Sequence, residues 1–256
     1  MTVSDYPRIQ PSPREALGNK MIQFSNSVSA EEHRIRAAYE KREEHDVRYS
    51  WFNPAYQFIA QQRERHLLAL LRRHGFAALE SQTILEVGCG TGQWLRDFIK
   101  WGARPENIKG IDLLPDRVSK AQQLCPAGLH VQCASATQLP FADQRFDLVF
   151  QSTVFTSILD QEVRGQVASE MMRVLKPEGL ILWYDYHVNN PWNKDVRGVK
   201  RREIYQSFPN CRIDLERITL LPPLARALAP YSYLTCYLLE KLPPLCTHYL
   251  AAIRKL

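Results

Sequence analysis

The sequence predicts an α/β protein: a doubly wound, mostly parallel sheet of seven strands, preceded by a helical lid and carrying a helical insert near residue 230. Two observations carry this reading. Short apolar runs alternate with amphipathic stretches through the middle of the 256-residue chain, as expected of strands buried on both faces and covered by helices. The first of those runs ends in three alternate glycines, Gly88, Gly90 and Gly92, where a backbone can turn tightly and approach a ligand closely.

Taken in order, residues 1 to 29 mix Pro7, Pro11, Pro13, Gly18 and several serines with few apolar anchors, so they read as a flexible arm, or a lid that orders only against the body or a ligand. Residues 30 to 78 form the lid. A charged helix runs from Ala30 to Asp46, and a second follows the turn at Asn53 and Pro54 and stops at about His74, before Gly75. The main domain covers residues 79 to 256. Its expected strands are Thr83 to Val87, Ile108 to Ile111, Leu129 to Cys133, Phe146 to Phe150, Leu180 to Tyr184, Arg212 to Leu220 and Tyr249 to Ile253. Helices are expected over Gln93 to Trp101, Pro115 to Leu124, Asp160 to Leu175 and Lys200 to Phe208. The insert, residues 222 to 242, reads as two short apolar helices broken at Pro230.

Composition narrows the function classes. The formal charge of +6 comes from 33 Lys and Arg against 27 Asp and Glu, a balance that favours an anionic partner only weakly. The densest basic run, Lys194, Arg197 and Lys200 to Arg202, is broken by Asp195 and Glu203. It lacks the long basic stripe with stacking aromatics that a nucleic-acid surface needs. The six cysteines form no CxxC pair and no zinc spacing, which fits a reducing, cytoplasmic setting and no metal. Met1 to Gln10 lacks the apolar stretch of a secretory signal. Between Arg226 and Glu240 lie only 13 uncharged residues, short of the roughly 20 that cross a bilayer.

The glycine loop has the context that decides its ligand. Glu86 stands immediately before it, in Ile84-Leu85-Glu86-Val87-Gly88-Cys89-Gly90-Thr91-Gly92. A carboxylate there repels a pyrophosphate but suits the cationic aminoacyl end of S-adenosyl-L-methionine. Asp112, at the end of the next strand and 20 residues after Gly92, can accept both hydroxyls of a ribose, with Leu113 packing on adenine.

These residues resemble the class I S-adenosylmethionine-dependent methyltransferases, within the broad group that includes the ubiquinone and menaquinone biosynthesis enzymes. The resemblance covers Thr83 to Tyr184 and rests on ILEVGCGTG, GIDL, ASATQLPFADQRFDLVF and MMRVLKPEGLIL. It implies a Rossmann-like methyltransferase sheet. It also implies that Glu86, Gly88, Cys89, Gly90 and Gly92 line the methionine end, that Asp112 and Leu113 hold the nucleoside, and that Ser135 and Ala136 face the adenine. Gln151 would lie under the sulfonium. The chain departs from the family at Ser135, where an acidic residue often accepts the adenine amino group; a hydroxyl accepts more weakly.

Methyl transfer demands alignment and exclusion of water, with a base only where the nucleophile arrives protonated. His187 is the candidate base, with Asp185 as base or as orienter of its ring, while His248 reads as structural. The bland reading is that Tyr184, Asp185 and Tyr186 brace the following loop. The expected acceptor is a small molecule, with transfer to a hydroxyl oxygen of a natural-product, glycan or lipid-linked metabolite. Two alternatives stay open: an RNA-directed methyltransferase, or a protein that binds the donor without turnover. The 222 to 242 insert offers an apolar surface for an acceptor lid, for peripheral contact with a membrane, or for pairing in a homodimer.

Overall fold

A computed structural model describes residues 13–41, 47–191 and 193–256. The expected arm over residues 1–12 and the expected helix end at 42–46 lie outside the described residues.

Helix α1 runs over Pro13–Glu40, so most of the expected arm is helical. Pro13 stands at the first position, where a missing N–H costs nothing. The serines that suggested a loop are carried on a helix held by tertiary contacts. Ser27 Oγ donates to Asp160 Oδ2 at 2.6 Å, and Val28 and Ile35 pack against the main core, which outweighs a weak local propensity. Helix α2, Pro54–Arg73, starts as its sequence predicts. Asn53 caps it by accepting from the amides of Ala55 and Tyr56, with Pro54 in the first turn.

The sheet comprises β1 (Ile84–Val87), β2 (Ile108–Asp112), β3 (His130–Cys133), β4 (Phe146–Ser152), β5 (Leu175–Tyr186), β6 (Cys211–Leu220) and β7 (Cys246–Lys255). Their order is β3-β2-β1-β4-β5-β7-β6. The first five strands are parallel, while β7 runs antiparallel to both β5 and β6. Helices α3 (Gln93–Lys100), α4 (Pro115–Leu124), α5 (Gln161–Val174) and α6 (Arg201–Ser207) cover the two faces. Strand β5 begins at Leu175, earlier than the expected Leu180, because Lys176 to Gly179 bulge out of register opposite Phe146 and Leu148. A β-carbon at Gly179 would fall 3.0 Å from the Asp147 carbonyl oxygen, so close backbone approach explains that glycine.

Alternate residues of each strand feed separate cores. Leu85, Val87, Val149, Ile181 and Trp183 pack with Val167 and Met171 of α5. On the opposite face Ile84, Leu148, Phe150 and Leu182 pack with Leu67 and Leu70 of α2 and with Leu95 and Phe98 of α3. Both sides of the strands are therefore dry, which is why they read as continuous apolar runs.

The insert forms α7 (Pro222–Leu228) and α8 (Tyr233–Leu239), separated at Pro230 as its sequence predicts. Its inner side, Ala225, Ala229 and Cys236, packs on Ala55 and Phe58 of α2. Its outer side leaves Tyr231 88%, Leu234 67% and Leu238 61% exposed. Tyr233 Oη donates to the Pro54 carbonyl at 3.0 Å, which ties the insert to the segment bearing exposed Trp51 and Phe52. Among the described residues, no helix is long and apolar enough to cross a membrane.

Candidate active site

The chain order reverses between β1 and β4, and the crevice at that switch point is where open α/β sheets bind ligands. An open cleft lies there. Its floor and walls include Gly88, Asp112, Leu113, Ser135 and Ala136, five of the residues expected at the cofactor. Thr153, Val154 and Ile158 after β4 and Val163 and Val167 of α5 complete the body-side wall. Helix α1 closes the mouth with Glu31, Glu32, Ile35 and Tyr39.

The glycine loop is shaped by its own amides. The N–H groups of Gly88 and Cys89 donate to the Ile111 carbonyl at 2.8 and 2.9 Å, and that of Gly92 to the Cys89 carbonyl at 2.9 Å. Gly90 N–H donates to Asp112 Oδ2 at 2.8 Å. Asp112 Oδ1 accepts from the Leu114 amide at 3.0 Å. The carboxylate thus locks the loop to the end of β2 and keeps further acceptor positions on both oxygens, since an ionised carboxylate has about four.

Other expected cofactor residues sit away from the cleft wall. Glu86 is buried beneath the loop, on the α3 side of the sheet, with Oε2 unpartnered. Burial first, then the charges of Asp112 and Asp97, push its carboxyl well above the usual range. A buried carboxyl oxygen without a partner fits a site that takes up a cation. Cys89 turns its thiol inward, where it would meet a β-carbon on Gly110 at 3.0 Å, and burial raises its pKa. Gly92 caps α3 in the left-handed region, and a β-carbon there would lie 2.7 Å from Cys125 Sγ. Gln151 is fully buried and braces the loop after β4: its Oε1 accepts from the Val154 amide at 3.0 Å and its Nε2 donates to the Tyr184 carbonyl at 3.4 Å. Ser152 and Thr153 line the cleft in its place.

The two candidate catalytic residues stand at the carboxyl end of β5 and are not joined. Asp185 is fully buried and accepts from the amides of Thr156 and Tyr186 at 3.2 and 3.1 Å, so it holds the loop after β4. Burial pushes its carboxyl up to about 7. His187 Nε2 lies 2.8 Å from the Cys246 carbonyl, which can only accept, so Nε2 carries the proton and Nδ1 its lone pair. The orienting partner of the ring is that carbonyl, with Tyr249 alongside at 4.6 Å, and not Asp185. Alternation along β5 puts Asp185 on the α5 side, facing the loop. Burial, followed in size by the opposing hydrogen bond to Cys246 and then by the charges of Arg217 and Lys200, leaves the His187 pKa below its ordinary value. His248 is buried and stacked on Tyr184 at 4.7 Å, a structural placement. Among the described residues no cluster of His, Cys, Asp and Glu could hold a metal ion.

Residues of α1 were not legible as part of the site. Glu31 accepts from the amides of Leu159 and Asp160 and from Arg34. Burial alone would raise its pKa, but these partners hold it below the usual carboxylate range. Arg36 donates to the Leu113 carbonyl at 2.6 Å, and Glu32 accepts from Ser135 Oγ. In the sequence these are ordinary charges on a helical face, and no local signal marks them.

Comparison with known proteins agrees with this geometry. A family model described as a methyltransferase domain matches residues 84–179. An uncharacterized protein of Haemophilus influenzae is 35% identical over 122 residues, covering 45% of this chain and 46% of that protein. The 2-methyl-6-phytyl-1,4-hydroquinone methyltransferase of Synechocystis is 32% identical over 124 residues, covering 44% of this chain and 37% of that enzyme. The chain thus spans less than half the length of these curated relatives. Among solved structures, the [4+2]-cyclase SpnF superposes with a TM-score of 0.57 at 21% identity, covering 83% of this chain and 85% of that one. Sheet order, glycine loop and domain match together give the chain the fold of a class I S-adenosylmethionine-dependent methyltransferase.

Proposed function

We propose that the chain transfers a methyl group from S-adenosylmethionine to a small-molecule acceptor, at a hydroxyl oxygen. One observation carries the choice of donor: the amides of Gly88, Cys89, Gly90 and Gly92 are already engaged within the protein. A pyrophosphate would find none of these four N–H groups free, whereas a phosphate-binding loop offers its own amides to the anion. The carboxylates of Glu32 and Asp112 on the cleft wall disfavour a polyanion further. A ribose fits Asp112, an adenine fits the apolar slot of Leu113, Ala136 and Val163, and Glu86 under the loop matches the ammonium of the methionyl end.

The bound donor would supply an electrophilic methyl group on sulfur. The protein's own task is positioning and dehydration, with Tyr39 and Ile35 of the lid screening the cleft from water. His187 is proposed to take the acceptor's proton at Nδ1. Its lowered pKa keeps the ring neutral at physiological pH and therefore able to accept. A His187→Ala variant is expected to lose about a hundredfold in kcat, a typical share for general-base catalysis. Its affinity for S-adenosylhomocysteine should stay unchanged in calorimetry. Activity of the parent should fall on the acid side, with its midpoint below the ordinary imidazole range; full activity in the variant would remove His187 as the base. Asp185 is proposed as a brace of the Thr156 loop.

The test of the reading as a whole is incubation with labelled donor and a panel of hydroxylated metabolites and quinols, reading product mass. The Synechocystis relative is named for a hydroquinone substrate, which places quinols in the panel. Donor binding without any methylated product would favour the non-catalytic alternative, and a cyclase already occupies this fold. An RNA acceptor is disfavoured because acidic residues interrupt the basic run: Arg197 pairs with Glu203, which also accepts from the Lys200 amide.

The outer face of α7 and α8 is further proposed to rest on a lipid surface and admit an apolar acceptor. Exposed Tyr231, Leu234 and Leu238 form its apolar part, and Arg65 and Lys241 lie over the Tyr237 ring at 5.7 and 4.4 Å. Aromatic and basic residues together favour the membrane interface. The protein should pellet with anionic vesicles and a Leu234→Asp, Leu238→Asp variant should not. A parent that stays in the supernatant as a dimer would assign the face to a second copy instead.

A further inference from the structure

The cleft contains a carboxylate where the sheet itself offers none, and it comes from the lid. We propose that Glu32 of α1 is the residue that reads the exocyclic amino group of the adenine, so that the lid helix forms part of the nucleobase site. The proposal rests on the donor assignment above and names the base-recognising group within it.

The hydrogen-bonding capacity of Ser135 is already filled. A hydroxyl has one proton to donate and two lone pairs to accept with. The Ser135 proton goes to Glu32 Oε1, because an ionised carboxylate can only accept. Its lone pairs face the Thr137 amide at 3.1 Å and Thr137 Oγ1 at 2.7 Å. Thr137 Oγ1 can then donate, and Ser135 Oγ has no acceptor position left. A serine at this place therefore cannot receive the amino group of a base, as its position after β3 suggested. Its role is to hold Glu32.

Other acceptors on the cleft wall are less available. Glu31 is turned into the body by Arg34 and the amides of Leu159 and Asp160. Asp112 is tied to the glycine loop and the start of α4, at the ribose end. Glu32, half-buried and lining the cleft, keeps acceptor capacity beside Leu113 and Ala136, where a planar base would lie. An amino group donating to a carboxylate makes a charge-assisted bond, stronger than one to a hydroxyl. A 6-oxo purine presents an acceptor to the same carboxylate and would be repelled.

The consequence is a lid that closes on the correct base. Helix α1 is tied to the body by Ser27 to Asp160, Arg36 to the Leu113 carbonyl and Tyr39 to Ser157. A base amino group bound to Glu32 would add a further tie directly through the ligand.

The test compares S-adenosylhomocysteine with S-inosylhomocysteine by calorimetry on the full chain. The parent should prefer the adenosyl ligand by about tenfold or more, the scale of one hydrogen bond to a charged group. Glu32→Gln should bring the two affinities to within about twofold, since an amide can face either partner. A Glu32→Gln, Ser135→Asp double variant, with the carboxylate returned to the end of β3, should restore the preference. Amide exchange in residues 24–41 should slow with the adenosyl ligand and less with the inosyl one. Equal parental affinity for both ligands, or a preference that survives in Glu32→Gln, overturns the proposal. A parent that binds neither ligand refutes the donor assignment, an outcome distinct from the failure of Glu32 alone.

Discussion

A Gly88→Ala variant is expected to bind no detectable donor and to melt at a lower temperature than the parent. Gly88 has φ of +73°, and a β-carbon on it would lie 2.4 Å from Val154 Cγ2. A left-handed conformation costs an L residue roughly 1–2 kcal/mol, and forcing a methyl group into a packed wall adds about 1–3 kcal/mol. Val154 cannot yield freely, because its χ1 is stiff and its amide is held by Gln151. The side chain that must move lines the cleft, so the clash is transmitted into the binding site. Calorimetry with S-adenosylhomocysteine and a thermal melt measure the two effects separately. Parental affinity in this variant would mean that Gly88 does not approach the ligand.

Replacing Asp112 is expected to have the second largest effect. The Asp112 oxygens already accept from Gly90 and Leu114, and the positions left on them suit two vicinal hydroxyls. Hydrogen bonds to a charged group contribute about 1.5–3 kcal/mol each, so losing two should weaken donor binding roughly a thousandfold. Asp112→Asn should be nearly as damaging as Asp112→Ala, because its NH2 must face one of two backbone N–H donors. The melt should show a loss of stability even without ligand, as the loop loses its tie to β2. Unchanged donor affinity in either variant would contradict the ribose role.

How far the sequence could be read follows from where each constraint lies. The strands around the cleft were legible because both faces of the sheet are dry, which leaves uninterrupted apolar runs such as Ile84 to Val87 and Phe146 to Phe150. Gly88 and Asp112 were legible because the left-handed turn of the loop and its tie to the end of β2 demand those residue types at one place in the chain. The sequence was less informative wherever a side chain's partner is distant. Gln151 stands at the end of β4, where the family resemblance implied a neighbour of the sulfonium, yet strand alternation and the Val154 amide draw it into the interior. Asp185 and His187 lie two positions apart, but β5 ends at Tyr186 between them, and they take different partners, the Thr156 amide and the Cys246 carbonyl. Helix α1 begins well before residue 30 because Ser27 and Val28 are held by α5 and its cap, contacts that no local pattern reveals. Glu32 is the sharpest instance: the missing acid at Ser135 was visible, but its replacement lies 103 residues away in sequence.

The basic claim is that this crevice holds a sulfonium nucleoside and excludes a phosphate chain. Calorimetric titration of the parent protein with S-adenosylmethionine and, separately, with NAD+ tests it most directly. Saturable one-to-one binding of the first and no heat from the second is the expected result. Tight binding of NAD+, or no binding of S-adenosylmethionine to a folded sample, would contradict it.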